Sequence, residues 1–306
     1  MLHGMSPECA LSKLLSSLEF HTLYRYTMTQ KHNFPSNNKD TLHLPRILCL
    51  HGGGTNARIF RAQCRALEKA LRTSFRLCYA EALFPSQPGP DVTAVYRDFG
   101  PFRAWIDSPD ANPVTMTEAL QISICKAIME DDQRGATGPV VGLLGFSQGA
   151  KVCASLILEQ QLLGRTFGDH SHLPFRLPQW RFAVLLAGRG PLVTLSHLSV
   201  GADIMQKMAH LCENDDSSGL DSQENLGNVI LTRELIQVPT IHVHGRKDPA
   251  LDLHRKLYYD DFDPRYSKVM EWDGAHRVPL KSKDVATLVK EINVLWASVS
   301  HSNVQG

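Results

Sequence analysis

The stretch Leu144-Gly145-Phe146-Ser147-Gln148-Gly149-Ala150 sets one serine between two glycines, with the apolar run VVGLL leading in and KVCASLILEQQLL leading out. Glycine weakens the interior of a regular element, so a pair placed around a serine implies a geometric demand. A sharp turn from a strand into a helix makes that demand. Its central residue is strained, neighbouring backbone comes close, and the hydroxyl is held at the carboxyl end of a sheet beside a helix N-terminus. Ser147 in such a G-x-S-x-G elbow is a candidate nucleophile. The competing reading is a chance pentapeptide with a surface serine; the strand pattern before it and the helix pattern after it favour the elbow.

A serine hydroxyl needs a histidine to take its proton, and the histidine needs a carboxylate to orient it. Where a serine sits on such an elbow, the acid and then the histidine follow it in the chain, each just beyond a strand. IHVHGRKDP supplies Asp248 and KVMEWDGAHRVP supplies His276 in that order. Asp252, Asp260, Asp261 and Asp263 fall in or after the next helical segment, and Asp273 is too near His276 in the chain to face it easily. His242 and His244 alternate on a strand and suggest a metal pair, but no third ligand is evident, and partly buried strand histidines are the simpler reading. His170 and His172 read as solvated loop residues. No metal and no organic cofactor is called for.

His51-Gly52-Gly53-Gly54-Thr55-Asn56 directly follows the first apolar run. Consecutive glycines let main-chain N–H groups turn inward unobstructed. The Gly53 amide, with Gly54 as the alternative, can form one half of an oxyanion hole, and the amide of Gln148 the other. The loop lacks the G-K-[ST] ending of a phosphate-binding P-loop and does not satisfy G-x-G-x-x-G. His51 reads as a brace for the loop.

Six short apolar runs must position these groups: Ile47–Leu50, Phe75–Ala80, Val140–Leu144, Phe182–Leu186, Thr240–Val243 and Val269–Trp272. Runs of this length and composition suit strands buried on both faces of a parallel sheet. Helical spacing lies between them. Residues 57–72 line up Phe60, Cys64, Leu67 and Leu71, and residues 116–130 line up Leu120, Ile124, Ala127 and Ile128 behind a Thr115/Glu118 capping box. Residues 282–297 carry the clearest amphipathic stripe. The alternation predicts an α/β fold, a doubly wound and mainly parallel sheet of about six strands with helices on both faces. One domain is expected over 45–299, with inserts near 84–115, 164–180 and 194–237. Residues 1–44 read as a flexible tail and 300–306 as a second tail.

Lys and Arg total 32 against 31 Asp and Glu, a net charge of +1, which offers no basic footprint for nucleic acid. No apolar stretch is long enough to span a membrane, and Glu8, Lys13, Glu19 and Arg25 break up any secretory pattern near the start. The 7 cysteines contain no C-x-x-C pair and several lie in apolar runs, which predicts reduced thiols and a cytoplasmic protein.

The segments LCLHGGGTNARIF, DFGPFRAW, GFSQGA, VPTIHVHGRKDP and DGAHRVP together resemble the fungal serine hydrolase family of α/β-hydrolases, over most of residues 46–297. The similarity is greatest to members encoded beside polyketide synthases. It implies an acyl thioesterase or esterase that releases or edits carrier-bound chains, with Ser147, Asp248 and His276 as nucleophile, acid and base. Gly53 departs from the aromatic residue many relatives place after the His-Gly of the first loop. The resemblance also implies an acyl-thioester or ester substrate and the acyl carrier domain of a polyketide synthase as partner. Tyr96, Phe99, Phe102 and Trp105 are candidates for the acyl pocket, the alternative being a plug at the sheet edge. Lys151 and Arg103 are candidates for contact with a carrier's phosphopantetheine, the alternative being plain solvation. Two other readings stand beside this one: a general carboxylesterase on small free esters, and a non-catalytic binder on a hydrolase fold.

Overall fold

The computed structural model describes residues 39–89, 92–106, 113–167, 177–193, 195 and 234–301. Six parallel strands form one sheet: β1 (Arg46–Leu50), β2 (Arg76–Ala80), β5 (Val140–Phe146), β6 (Phe182–Leu186), β7 (Thr240–Gly245) and β8 (Ser267–Trp272), in the order β2-β1-β5-β6-β7-β8. Each apolar run singled out in the sequence is one of these strands. Two further strands, β3 (Phe84–Pro85) and β4 (Arg103–Ala104), pair antiparallel outside the sheet. This is the doubly wound, parallel sheet of six strands expected from the sequence.

Both faces of the inner strands are covered, which explains why they are mainly apolar rather than alternating, while the edge strand β8 is only partly buried. Along β1, Leu48 and Leu50 enter one core and Ile47 and Cys49 the other. The first core is closed by α4 (Pro113–Gln133), α5 (Gln148–Phe167) and α6 (Leu251–Asp261), through residues such as Ile124, Leu156 and Leu257. The second is closed by α1 (Ala57–Gln63), α2 (Arg65–Leu71) and α7 (Ser282–His301), through Phe60, Leu67 and Leu288. The short helix α3 (Thr93–Tyr96) lies in the segment between β3 and β4.

Several local expectations are corrected. The helix expected over 57–72 is two helices that meet at Cys64, whose ψ of 2° bends the chain, although Phe60, Cys64, Leu67 and Leu71 all reach the core. Thr115 is not a cap: α4 begins two residues earlier at Pro113, whose missing N–H costs nothing at a first helical position. Residues 41–44, assigned to the tail by sequence, are bonded into the domain. Arg76 Nη1 donates to Thr41 Oγ1 at 3.0 Å, and the Leu42 carbonyl accepts from the Thr137 and Gly138 amides at 2.8 and 3.1 Å. Residues 1–38, most of the expected inserts at 164–180 and 194–237, and all but the edge of the final tail lie outside the described residues.

At the ends of the sheet, buried polar groups are paired. Arg76 grips Asp131 through two hydrogen bonds of 2.8 and 2.6 Å, joining β2 to the end of α4, and Arg46 donates to the Gly138 carbonyl at 2.7 Å.

The chain runs from β1 outward to β2 and then returns past β1 to β5. Strand order therefore reverses between β1 and β5. In open α/β sheets the crevice beyond the carboxyl ends of the strands at such a reversal is where ligands bind. The HGGG loop leaves β1 and the serine turn leaves β5, so both face that crevice.

Candidate active site

Ser147 has φ 53°, a left-handed conformation that strains a non-glycine residue by roughly 1–2 kcal/mol. Main-chain bonds hold it there: its N–H donates to the Leu186 carbonyl on β6 at 2.9 Å, and its carbonyl accepts from Lys151 N at 3.1 Å, opening α5. The flanking glycines are dictated by close approach. A Cβ at Gly145 would lie 2.6 Å from the Ala150 Cα, and one at Gly149 would lie 2.5 Å from the His51 carbonyl oxygen and closer still to that of Leu50. Gly149 thus presses α5 onto the end of β1, which brings the serine turn alongside the HGGG loop.

In that loop Gly54 adopts φ 71°, and its N–H is committed to the Arg103 carbonyl at 2.9 Å. Gly54 therefore does not offer a free donor. Among the described residues the main-chain N–H groups of Gly53 and Gln148 donate to no protein acceptor. The Gln148 side chain lies along Gly53, and its Oε1 accepts from Trp105 N at 2.8 Å. His51 is fully buried. Its Nδ1 lies 2.8 Å from the Gly52 carbonyl, Ala82 N donates to its Nε2 at 3.2 Å, and its own carbonyl accepts from Trp105 Nε1 at 2.7 Å. These contacts make it a brace for the loop.

Asp248 occupies the turn between β7 and α6. Its N–H donates to the Gly245 carbonyl at 3.0 Å, and its Oδ1 accepts from Ala250 N at 2.9 Å. His276 lies in the loop after β8. The two loops are tied by Lys247 N donating to the Gly274 carbonyl at 2.8 Å. The result is a 2.7 Å contact between His276 Nδ1 and Asp248 Oδ2, with the carboxylate buried and the imidazole about a quarter exposed at 28%. Burial pushes the Asp248 carboxyl up. The Ala250 N–H, His254 and His276 outweigh it, so the net displacement is below the ordinary range.

The rival carboxylates are engaged elsewhere. Asp273 pairs with Lys247 at 2.7 Å, Asp263 with Arg265 at 2.6 Å and Asp260 with Lys256 at 2.8 Å, while Asp252 lies beside Arg255 at 3.8 Å. Asp261 closes α6 by accepting Ile236 N on its carbonyl.

The His276 ring packs on Phe146, the residue before Ser147, with centroids 5.0 Å apart. The imidazole is thereby brought to the serine turn. Ser147 Oγ and His276 Nε2 are not hydrogen-bonded to each other, and neither has a protein partner among the described residues. Contacts of this kind commonly tighten only when substrate fills the site.

The structure adds one residue that the sequence reading missed. His254, on the first turn of α6, is fully buried with Nε2 2.9 Å from Asp248 Oδ2. The available signal was the pairing of His254 with Leu257 one turn on, which marks the inward face of a short amphipathic helix. His242 and His244 are buried on β7, more deeply than expected. Among the described residues, His242 Nε2 and both His244 ring nitrogens have no hydrogen-bond partner. Burial, reinforced by neighbouring His254, pushes His244 down to about 4, and burial and His244 push His242 down likewise.

The aromatic candidates divide. Trp105 is buried and fixed by its bonds to His51 and Gln148. Tyr96 and Phe99 meet edge to face at 5.6 Å, Phe99 is exposed beneath the Arg58 guanidinium, and Phe102 is half-buried. Asn56 pins this segment by donating to the Phe99 and Pro101 carbonyls at 2.7 and 3.0 Å while capping α1. Lys151 is half-buried, pushed below the usual lysine range by burial and by Arg189, and Arg103 donates to the Leu83 carbonyl at 3.2 Å.

The family described as Serine hydrolase (FSH1) matches residues 41–288. The chain belongs to that family. The serine hydrolase is 51% identical over 265 residues to Esterase pigG of Monascus ruber, covering 84% of this chain and 93% of that protein. It is 49% identical over 259 residues to Esterase dbaE of Emericella nidulans, covering 83% and 91%. It is 43% identical over 264 residues to Esterase citA of Monascus ruber, covering 84% and 94%. Among the described residues of this serine hydrolase, no helix is long and apolar enough to cross a membrane.

Proposed function

We propose that the enzyme hydrolyses acyl thioesters or esters through Ser147, His276 and Asp248. The observation that carries the reading is the 2.7 Å contact between His276 Nδ1 and buried Asp248. It directs the Nδ1 proton onto the carboxylate and leaves Nε2 as a proton acceptor, on a ring packed against the serine turn. His276 Nε2 takes the Ser147 proton as Oγ attacks the carbonyl carbon. The Gly53 and Gln148 amides receive the oxyanion. His276 then returns its proton to the leaving thiol or alcohol, activates water, and the acid is released from Ser147.

Within this class we assign the substrate as a polyketide acyl chain held as a thioester on a synthase's acyl carrier domain. The support is the sequence resemblance to members encoded beside such synthases. Tyr96, Phe99 and Phe102 line the approach for that chain, and Trp105 fixes the floor. We place the reaction in the cytoplasm, in keeping with 5 free, mostly buried thiols among the described cysteines, and with no nucleic acid or membrane as partner. A second reading, a carboxylesterase on small free esters, has support in the relatives' printed names as esterases. Incubation with a panel of acyl-thioester carriers and matched oxygen esters, with Ser147→Ala as control, separates the two. Preference for the carriers supports release from a synthase, and turnover of free esters alone overturns it.

A further inference from the structure

His254 has two ring nitrogens and two oxygen neighbours. Nδ1 lies 2.9 Å from the Gly188 carbonyl, and Nε2 lies 2.9 Å from Asp248 Oδ2. A carbonyl only accepts, so Nδ1 carries a hydrogen. The same Asp248 oxygen receives His276 Nδ1 at 2.7 Å, and the other oxygen receives the Ala250 amide at 2.9 Å. A carboxylate that already receives these two donors is held ionised, and the hydrogen in the Nε2–Oδ2 contact then sits on His254. The residue is fully buried, where an unpaired charge is not tolerated but a paired and fully hydrogen-bonded one is.

We propose that His254 is a positioning residue of the catalytic site, a buried imidazolium that shares the Asp248 carboxylate with His276 and sets the acidic limit of activity. The proposal rests on the assignment of Asp248 and His276 as acid and base. Two consequences follow from the geometry. The carboxylate is clamped between two rings whose centroids are 6.0 Å apart, so its orientation toward His276 is fixed from behind. The cation also offsets the Asp248 charge that His276 faces.

The other titratable groups around this cluster do not supply that charge. His244 on β7, at 5.7 Å between centroids, is pushed toward its neutral form by burial and by His254. Arg255 of α6 is bonded to Glu271 of β8 at 2.8 Å and lies 3.8 Å from Asp252. Arg189, next to Gly188, faces Lys151 of α5.

His254→Gln keeps a donor for Asp248 and removes the charge. For hydrolysis of p-nitrophenyl acetate, the acidic limb of the kcat/KM profile is expected to move up by about one pH unit, because His276 then protonates more easily. A purely structural role lowers kcat without moving the limb. Nitrogen NMR of ring-labelled histidine in the wild-type protein reads the same claim without turnover: His254, assigned by its contact with the His276 ring, is expected to show two N–H groups. An unmoved limb in folded His254→Gln, or one bare nitrogen on His254, overturns the proposal. If the variant does not fold, the wild-type spectrum alone decides. Retained activity of Ser147→Ala is a different failure, that of the underlying assignment.

Discussion

The imidazole of His276 rests on the ring of Phe146, with centroids 5.0 Å apart and planes tilted by 43°. The residue that ends β5 and leads into the serine turn is therefore also the platform for the proposed base. Phe146 in turn stacks on Phe60 of α1 at 6.3 Å, which anchors that platform in the core.

Replacing Phe146 with alanine removes the platform and opens a cavity. The expected loss of stability is about 3–5 kcal/mol. A fall in kcat of roughly ten- to a hundred-fold is expected in the protein that remains folded, because small misplacements of a catalytic group are costly. Urea denaturation and steady-state kinetics read the two effects separately. An unchanged kcat contradicts the platform role.

Gly149→Ala places a methyl group 2.5 Å from the His51 carbonyl oxygen, against backbone that cannot rotate away. The helix α5 must move off β1, with a cost of about 1–3 kcal/mol or more. Activity is expected to fall further than stability, because the same contact holds the serine turn, with the proposed Gln148 donor, against the HGGG loop. Thermal denaturation beside kcat shows whether the two losses part in that way.

Asp131→Ala leaves the buried Arg76 and Arg46 guanidinium groups without the carboxylate that lies 2.6 and 3.7 Å from them. Removing one partner of such a pair costs about 3–5 kcal/mol, or a drop in Tm of roughly 10 °C in a domain of this size. A drop of a degree or two contradicts the assignment of this network as a structural tie.

Buried His242 and His244 make stability fall on mild acidification. His244 keeps its neutral form down to about 4 in the folded protein, against 6.5 when unfolded. Between those values the unfolded chain binds a proton that the folded chain refuses, so stability is expected to rise with pH across that window. The effect is on the order of 3 kcal/mol, and His242 adds to it in the same direction. The lowered Asp248 has its own window: its contribution is present above the ordinary 3.8 and lost as pH falls below it. Denaturation midpoints measured from pH 7 downward test the slope, and a flat profile to about pH 4 rules out the buried neutral histidine.

The sheet was legible because its inner strands are covered on both faces, so most read as short apolar runs. Local chain direction was less so. Nothing in ARIFRAQCRALEKAL marks the bend at Cys64, since the apolar stripe continues through it. Thr115 resembled a cap because its hydroxyl is of the right kind, but Pro113 had already begun the helix. In the site, Asp248 and His276 stood out by chain order, and Ser147 by its glycines. Gly53 was already preferred to Gly54 in the sequence, but the physical reason, the Gly54 amide bound to the Arg103 carbonyl, is visible only in the coordinates. His254 went unnoticed for a similar reason: a histidine on a helix looks structural until both its ring nitrogens are seen to face oxygen.

The central claim is that Ser147 is a nucleophile activated by His276 and oriented through Asp248. Fluorophosphonate labelling followed by peptide mass spectrometry tests it most directly. The expected result is one adduct, on Ser147, lost in Ser147→Ala and strongly slowed in His276→Ala and Asp248→Asn. A folded protein that stays unlabelled, or that carries the adduct on another residue, contradicts it.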